Sequence, residues 1–522
     1  MENEKREIYD RLNKEVNIKD LDIIQTINDM GILIDTSLDL KEVKGLKSAI
    51  NNLEKILILP ISRQQESIIY YYLGNAWSSL RIITKEGKDD EWAWEQNEVE
   101  NEFRYYRLAL RDKESIQISK ERFLPLYTNL GNSLQNLGRF ICANYYYNEA
   151  LKLDPEFGVA LGNKGYNLYL YAYSFRQTHK EQSGILYKYA IKLLDKATKC
   201  KMHDGADNYF LNIIEHIKSQ LKSEYLKQPI SLSSQGSIFE ETERIYRAWC
   251  LENSLFLNPL NDLGNFEAAA KDILSCPRII VRITEGPYYH GIFNQLKQEY
   301  CSARYILYEG LNNKNIHFSD KNVTIVDTLD CSVYSLNIEK VKLSFRTAYS
   351  LLDKMAFFLN HYFNLKINDK KVSFRTLWYK KNKQVLREEF IDKHNLPLRG
   401  LFWLSKDIHE NIKGLDTALD PEARKLREIR HHIEHKYLKV HGELWSGNND
   451  KTSSGIKDTL AYSLYRADFE KQTLNLFRII RSAIIYLTLS IEIEERIKKT
   501  KRKPEEKIVS NILRDIPDEW KE

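Results

Sequence analysis

LREIRHHIEHKYLKVH, residues 426–441, packs more groups able to handle a phosphate into fewer positions than any other part of the chain. It holds two arginines, four histidines, two lysines and a tyrosine. Its aliphatic residues, Leu426, Ile429, Ile433, Leu438 and Val440, fall near helical spacing. Leu426, Ile429 and Ile433 stand at i, i+3 and i+7, so one stripe is buried and the remaining surface carries the charge. The pattern predicts a single helix from Glu422 to Val440, with Pro421 well suited to its first turn.

These residue types fit cleavage of RNA by the substrate's own 2′-hydroxyl. That reaction needs a base for the hydroxyl proton, an acid for the leaving oxygen and a cation for the crowded phosphate. Histidine, with an unperturbed pKa of about 6.5, holds or releases a proton at working pH. Arginine stays charged and grips phosphate oxygens in a bidentate fork. Blander readings exist for the same letters. Arg430 and Glu434, at i, i+4, could simply pair on a solvated face. His431 and His435, also at i, i+4, would suit a zinc pair, but the H-E-x-x-H pattern needs Glu second and His432 stands there. No cofactor and no metal is expected.

Within the stretch, Arg430-His431-His432-Ile433-Glu434-His435-Lys436-Tyr437 reads R-x4-H-x-Y. It resembles the signature of the HEPN superfamily, whose best-known members are metal-independent ribonucleases. The resemblance covers roughly residues 240–500 and implies a helical bundle with the motif on its third long helix. It implies that Arg430 binds and stabilises the scissile phosphate and that His435 is the general base or acid. His431 would be a secondary polar contact and Tyr437 a positioning group, also open to nucleotidylation by a partner antitoxin. Glu434, Lys436, Lys439 and His441 would complete the polar surroundings. Five helical steps set Arg430 and His435 about 140° apart; the homodimer that the resemblance implies would relax that constraint. Products would carry 2′,3′-cyclic phosphate and 5′-hydroxyl ends. The implied role is phage defence or growth arrest, with transfer or messenger RNA as substrate. The rival reading is a non-catalytic interaction protein that binds RNA or nucleotide and recruits a partner; a zinc enzyme built on the histidines is a distant third.

The chain has 522 residues, too many for one core. Gly and Pro number only 21 and 11 against 32 Tyr, which favours long helices. The net charge of +5 is too small to prove nucleic-acid binding, so any RNA site must come from local clustering. MENEKREIYDRLNKEV has no apolar core and is not read as a signal peptide. The apolar run near 483–493 is broken by Thr488, Ser490 and Glu492, too short to span a bilayer. Six scattered cysteines show no C-x-x-C pair. A cytoplasmic protein without membrane attachment is expected.

The clearest repeat is LYTNLGNSLQNLGRFICANYYYNEALKLDPEF, residues 126–157. Leu130, Gly131, Leu134, Ala143, Tyr147, Ala150 and Pro155 match the characteristic places of a tetratricopeptide (TPR) repeat. Gly74 with Glu102, Tyr106 and Ala109 forms a weaker copy; Gly165 and Leu168 with Ala190, Leu194 and Ala197 form another. Such repeats stack into a solenoid, here expected to face a protein partner or antitoxin.

The expected architecture is all-α: N-terminal helices 1–60, a TPR-like solenoid 61–227, a linker 228–239, a HEPN bundle 240–500 and a tail 501–522. Long helices are expected at 290–309, 341–363, 422–440 and 459–499, with shorter ones at 266–274 and 401–412. VTIVDTLDCSVYSL reads as a small β-hairpin inserted in the bundle. Arg346, Arg375 and Arg399 are further cationic candidates. The tail holds five basic residues between Lys498 and Lys503, read mainly as a solvated helix end and otherwise as extra phosphate contacts.

Overall fold

Scarce glycine and proline leave long segments free to coil, and the protein is built almost wholly of α-helices, as expected. The structure, a computed structural model, describes residues 2–14, 22–111, 120–200, 206–230, 232, 240–282, 286–313, 315–380, 385–409, 421–442, 458–501, 508–509 and 514–521. Most of the expected linker, and most of the tail after Lys501, lie outside the described residues. The chain divides into two compact units, Met1–Asn167 with Ala190–Glu215, and Leu168–Tyr189 with His216–Glu522. Among the described residues no helix is long and apolar enough to cross a membrane.

In the first unit, α1 (Glu2–Leu12), α2 (Ile23–Asp39), α3 (Val43–Ile56) and α4 (Arg63–Lys85) enclose a core that includes Leu33, Leu46, Leu53, Ile69 and Leu73, all fully buried. Asp22 caps α2, and Ser62 with Gln65 forms a reciprocal capping box on α4. α4 packs on α5 (Asn97–Ala109), and α6 (Lys120–Asn136) packs on α7 (Phe140–Leu153). α8 (Gly158–Ser174) and α9 (Lys180–Thr198) follow. The three repeats share one device. A Cβ on Gly74 would meet the Tyr106 ring at 2.5 Å, one on Gly131 the Tyr147 ring at 2.6 Å, and one on Gly165 Leu194 at 2.8 Å. Each glycine of a first helix is the seat of one large side chain from the second, which is why the TPR spacing pairs them.

Helices α10 (Ala206–Ser219), α11 (Ser223–Lys227) and α12 (Glu241–Glu252) lead toward the bundle. The bundle comprises α13 (Tyr288–Asn312), α14 (Leu336–Tyr362), the short α15 (Glu388–Ile391), α16 (Leu396–His409), α17 (Pro421–His435) and α18 (Arg466–Lys501). α14 lies against α13, α17 and α18. It buries Phe345, Ala348, Leu352, Met355 and Leu359, the stripe its sequence shows. The apolar run of α18 is buried all round, including Thr488 and Ser490, whose hydroxyls bond to the carbonyls of Ile484 and Leu487.

Four sequence expectations need correction here. The helix expected at 266–274 is absent. Asn258 instead caps a 3-10 turn at Pro259–Asp262, and only a second short turn, Glu267–Ala269, follows. The backbone there is bound sideways: Leu274 N donates to Leu257 O, and the Asp272 carboxylate takes Leu257 N and the Arg304 guanidinium. Residues 323–336 form no hairpin, because Val333 N donates to Val440 O and Ser332 bridges His441 instead. The helix expected to run to Val440 stops at His435, and the one expected from Thr459 starts at Arg466. The segments released from these last two helices become strands, β2 (Leu438–His441) pairing parallel with β3 (Tyr462–Tyr465); elsewhere β1 (Val281–Arg282) pairs antiparallel with β4 (Ile508–Val509).

Candidate active site

Leu426, Ile429 and Ile433 are buried as their spacing requires, so α17 turns its charged face outward. Arg430 is half-buried, with its guanidinium 5.2 Å from the centre of the Tyr349 ring on α14. The ring's π face holds the cation in place without neutralising it. His409, at the end of α16, meets the other part of this environment, its ring edge-on to Tyr349 at 6.5 Å. Burial first, then the charges of Arg375, Arg427 and Arg430, push His409 down to about 3. It is therefore neutral at working pH, held so mainly by its burial.

His431 and His435 are both exposed and lie on one face, their rings 5.7 Å apart. Desolvation, then the positive field of Lys436, His432, His435 and Arg427, holds His431 below the ordinary histidine value. His432 belongs to another neighbourhood: its Nδ1 contacts Glu428 O at 2.8 Å and its ring stacks on Tyr462 at 4.9 Å. Glu434 does not pair with Arg430. It faces Arg346 of α14 at 3.7 Å, and Arg346 also donates to Ile433 O at 2.6 Å. That donor satisfies a carbonyl of the last turn, so Arg346 acts as a side-chain cap on the motif helix.

After His435 the chain turns, with Lys436 exposed at the bend. Tyr437 follows, 39% exposed, its pKa raised by desolvation first and then by its neighbour Tyr334. Lys439 and His441, expected on the helix surface, are buried on β2 instead. Lys439 lies 2.5 Å from Asp330 and 3.2 Å from Asp458, and its ammonium sits 5.7 Å from the Tyr437 ring centre. It ties two loops to the strand and is not available to a phosphate. His441 Nδ1 contacts Asp330 O at 2.8 Å. Of the other cationic candidates, Arg375 is exposed beside His409, whereas Arg399 is buried in α16.

The structure thus brings His431 and His435 together, sets Arg430 with Tyr349 and His409, and removes Lys439 and His441 from the surface. Sequence reading missed Tyr349, His409, Asp330 and Tyr334. Among the described residues, no group of three His, Cys, Asp or Glu side chains is placed to hold a metal ion.

Asp330 gives this region a pH dependence. Desolvation raises its pKa, but hydrogen bonds from Lys439, Ser332 and Thr328 outweigh it and hold the carboxyl well below the usual range. Lys439 is raised by Asp330 and Asp458 against its own desolvation. A depressed carboxyl stabilises the fold above its unfolded pKa, and that contribution fades as pH falls through the folded value. Acidification below about pH 4 should therefore weaken the β2 region. Lys439→Met should cost roughly 2–3 kcal/mol at neutral pH and flatten the acid limb of a urea-melt pH series. An acid limb as steep as in the wild type would show that the pair is not its source.

Residues 280–494 match the family model described as LA2681-like HEPN. By that match, which covers less than half of the chain, residues 280–494 form a HEPN domain. No curated protein and no solved structure matches the chain.

Proposed function

We propose that the protein is a HEPN endoribonuclease that cleaves RNA by 2′-hydroxyl attack, with α17 supplying the reacting groups. The observation that carries this reading is the exposed imidazole pair His431 and His435 on the helix that also holds Arg430, whose guanidinium is kept in place over the Tyr349 ring. The Arg430 guanidinium suits the crowded charge of a phosphorane. An imidazole pair on an exposed face suits proton transfer near pH 7. In this scheme Arg430 grips the phosphate, His435 moves the proton, His431 and Lys436 line the approach, and Tyr437 positions the strand.

A second reading has its own support. Arg430 lies over Tyr349 while His435 pairs with His431, so one copy of α17 does not present both to one point. A two-fold dimer could join Arg430 of one copy to His435 of another; without it the domain would bind RNA and not cut it. The TPR-like repeats would then recruit a protein partner or antitoxin. Defence or growth arrest is the role proposed for the active form.

The test is growth after induced expression in a bacterial host, with total RNA end-mapped and the purified protein assayed in excess chelator. New 5′-hydroxyl and 2′,3′-cyclic phosphate ends, formed in chelator, are the expected result. RNA left intact by a dimeric protein that still binds it would favour the non-catalytic reading.

A further inference from the structure

The basic residues at the end of α18 have a neighbour that sequence reading did not join to them. An open pocket of ≈ 460 Å³ lies between the segment after α8 and the last turns of α18, lined in part by Tyr173, Arg176, Gln177, Arg496, Lys499 and Thr500. Two guanidiniums converge on one ring there: Arg176 is 3.6 Å and Arg496 is 5.2 Å from the centre of Tyr173. Both arginines are half-buried. Arg176 donates once, to Tyr173 O at 2.7 Å. Among the described residues Arg496 makes no hydrogen bond and neither arginine makes an ion pair, although a guanidinium carries five N–H donors. Burial, then the charge of Arg176, lowers Arg496 below the usual arginine value, with Glu492 acting against the shift. The Glu492 oxygens are taken by Gln177 N and the Thr178 hydroxyl.

Helix-end electrostatics explain part of this. Cations are favoured at a helix C-terminus, and Lys498 is accounted for by its pairing with Glu495 at 2.7 Å. They do not explain why two like charges are packed together with most of their donors unused. The Tyr173 ring orients both forks, and guanidinium already lies over it, so the group that fits here is an anion and not a stacked base.

We propose that Arg176, Arg496 and Lys499 form a binding site for a phosphoryl group, separate from the α17 site. Thirty residues of α18 separate Arg466, next to β3, from Arg496, a span of ~45 Å along the helix. One phosphate cannot serve both places. The ligand is a small phosphorylated molecule or a distant phosphate of a long RNA. The proposal does not rest on the ribonuclease reading.

Calorimetry on the full chain at low salt would use pyrophosphate, ATP and a 5′-phosphorylated RNA oligonucleotide. Saturable binding is expected, weakened about ten-fold or more by Arg496→Gln and by Arg176→Gln. Loss of pyrophosphate or ATP binding in the pocket variants assigns the site to a small ligand; loss seen only with the oligonucleotide assigns it to RNA. Should Arg496→Gln fail to fold by circular dichroism, Lys499→Glu at the exposed rim must lower the affinity. Binding unchanged by the pocket variants, binding lost only in Arg430→Ala, or no binding of any of the three probes would overturn the proposal.

Discussion

His435→Ala should lower RNA cleavage by about 10²–10⁴-fold, the usual contribution of a positioned general acid or base. Arg430→Ala should cost about 10²–10³-fold, the scale seen when one donor to a transition-state oxyanion is lost. Neither loss should come from unfolding. His435 is exposed, and surface substitutions commonly stay within about 0.5 kcal/mol. Arg430 gives up one cation–π contact with Tyr349, worth about 0.5–1 kcal/mol at a site open to water. If the two residues act in one site, the double variant should be no worse than the poorer single one. Mixing the variants makes a sharper test. In a two-fold dimer whose sites join Arg430 of one copy to His435 of the other, an Arg430→Ala/His435→Ala mixed dimer holds one intact site. Equal mixing with exchange should then restore about a quarter of wild-type activity. Continued inactivity of the mixed dimer would place both residues of a working site on one chain, and α17 would then have to rearrange for cleavage.

How much of this was legible in the sequence depends on the distance over which each contact acts. The repeats were legible because both partners lie within one helical pair: Gly131 and Tyr147 stand at places whose sizes must match. The buried stripe of α17 was legible for the same local reason. Its end was not. Leu438 and Val440 also sit at i and i+2, the spacing of a strand, and that alternation was folded into the helical period. What decides between the two periods is non-local: Arg346 takes the Ile433 carbonyl, and the backbone of 438–441 finds partners at 462–465 and 331–333. Lys439 followed the same error, because a lysine on an outward helix face and a lysine between Asp330 and Asp458 look alike in one dimension. His409 was passed over because a lone histidine near a helix end carries no signal until the fold buries it against Tyr349 of another helix. The phosphoryl pocket was half legible. Its α18 side showed as a basic run, whereas Arg176 lies more than 300 positions earlier.

The largest loss of stability should follow Arg481→Met, far from any chemistry. Arg481 lies mid-way along α18 with its side chain 2% exposed, and Nη1 meets Asp262 Oδ1 at 2.6 Å. Its Nε donates to Phe256 O and its Nη2 to Asn258 O at 2.9 Å. Tyr171 donates to the second Asp262 oxygen at 3.0 Å. Burial lowers the arginine's pKa, and Asp262 more than restores it. One guanidinium thus satisfies the carboxylate and two carbonyls of the irregular 256–262 segment, which has no regular ladder of its own. Methionine fills much of the volume but takes the cation from the buried Asp262 carboxylate and one donor from each of the two carbonyls. Removing one member of such a pair costs about 3–5 kcal/mol, which for a unit of this size lowers the melting temperature by roughly 5 °C. Arg481→Met with Asp262→Leu removes both charges and should recover much of that loss, since apolar replacement of a whole buried pair is often near neutral. Calorimetric melts of the two variants beside the wild type decide the matter. A double variant as unstable as Arg481→Met would show that the carbonyls of Phe256 and Asn258, and not the stranded Asp262 charge, are what Arg481 chiefly serves.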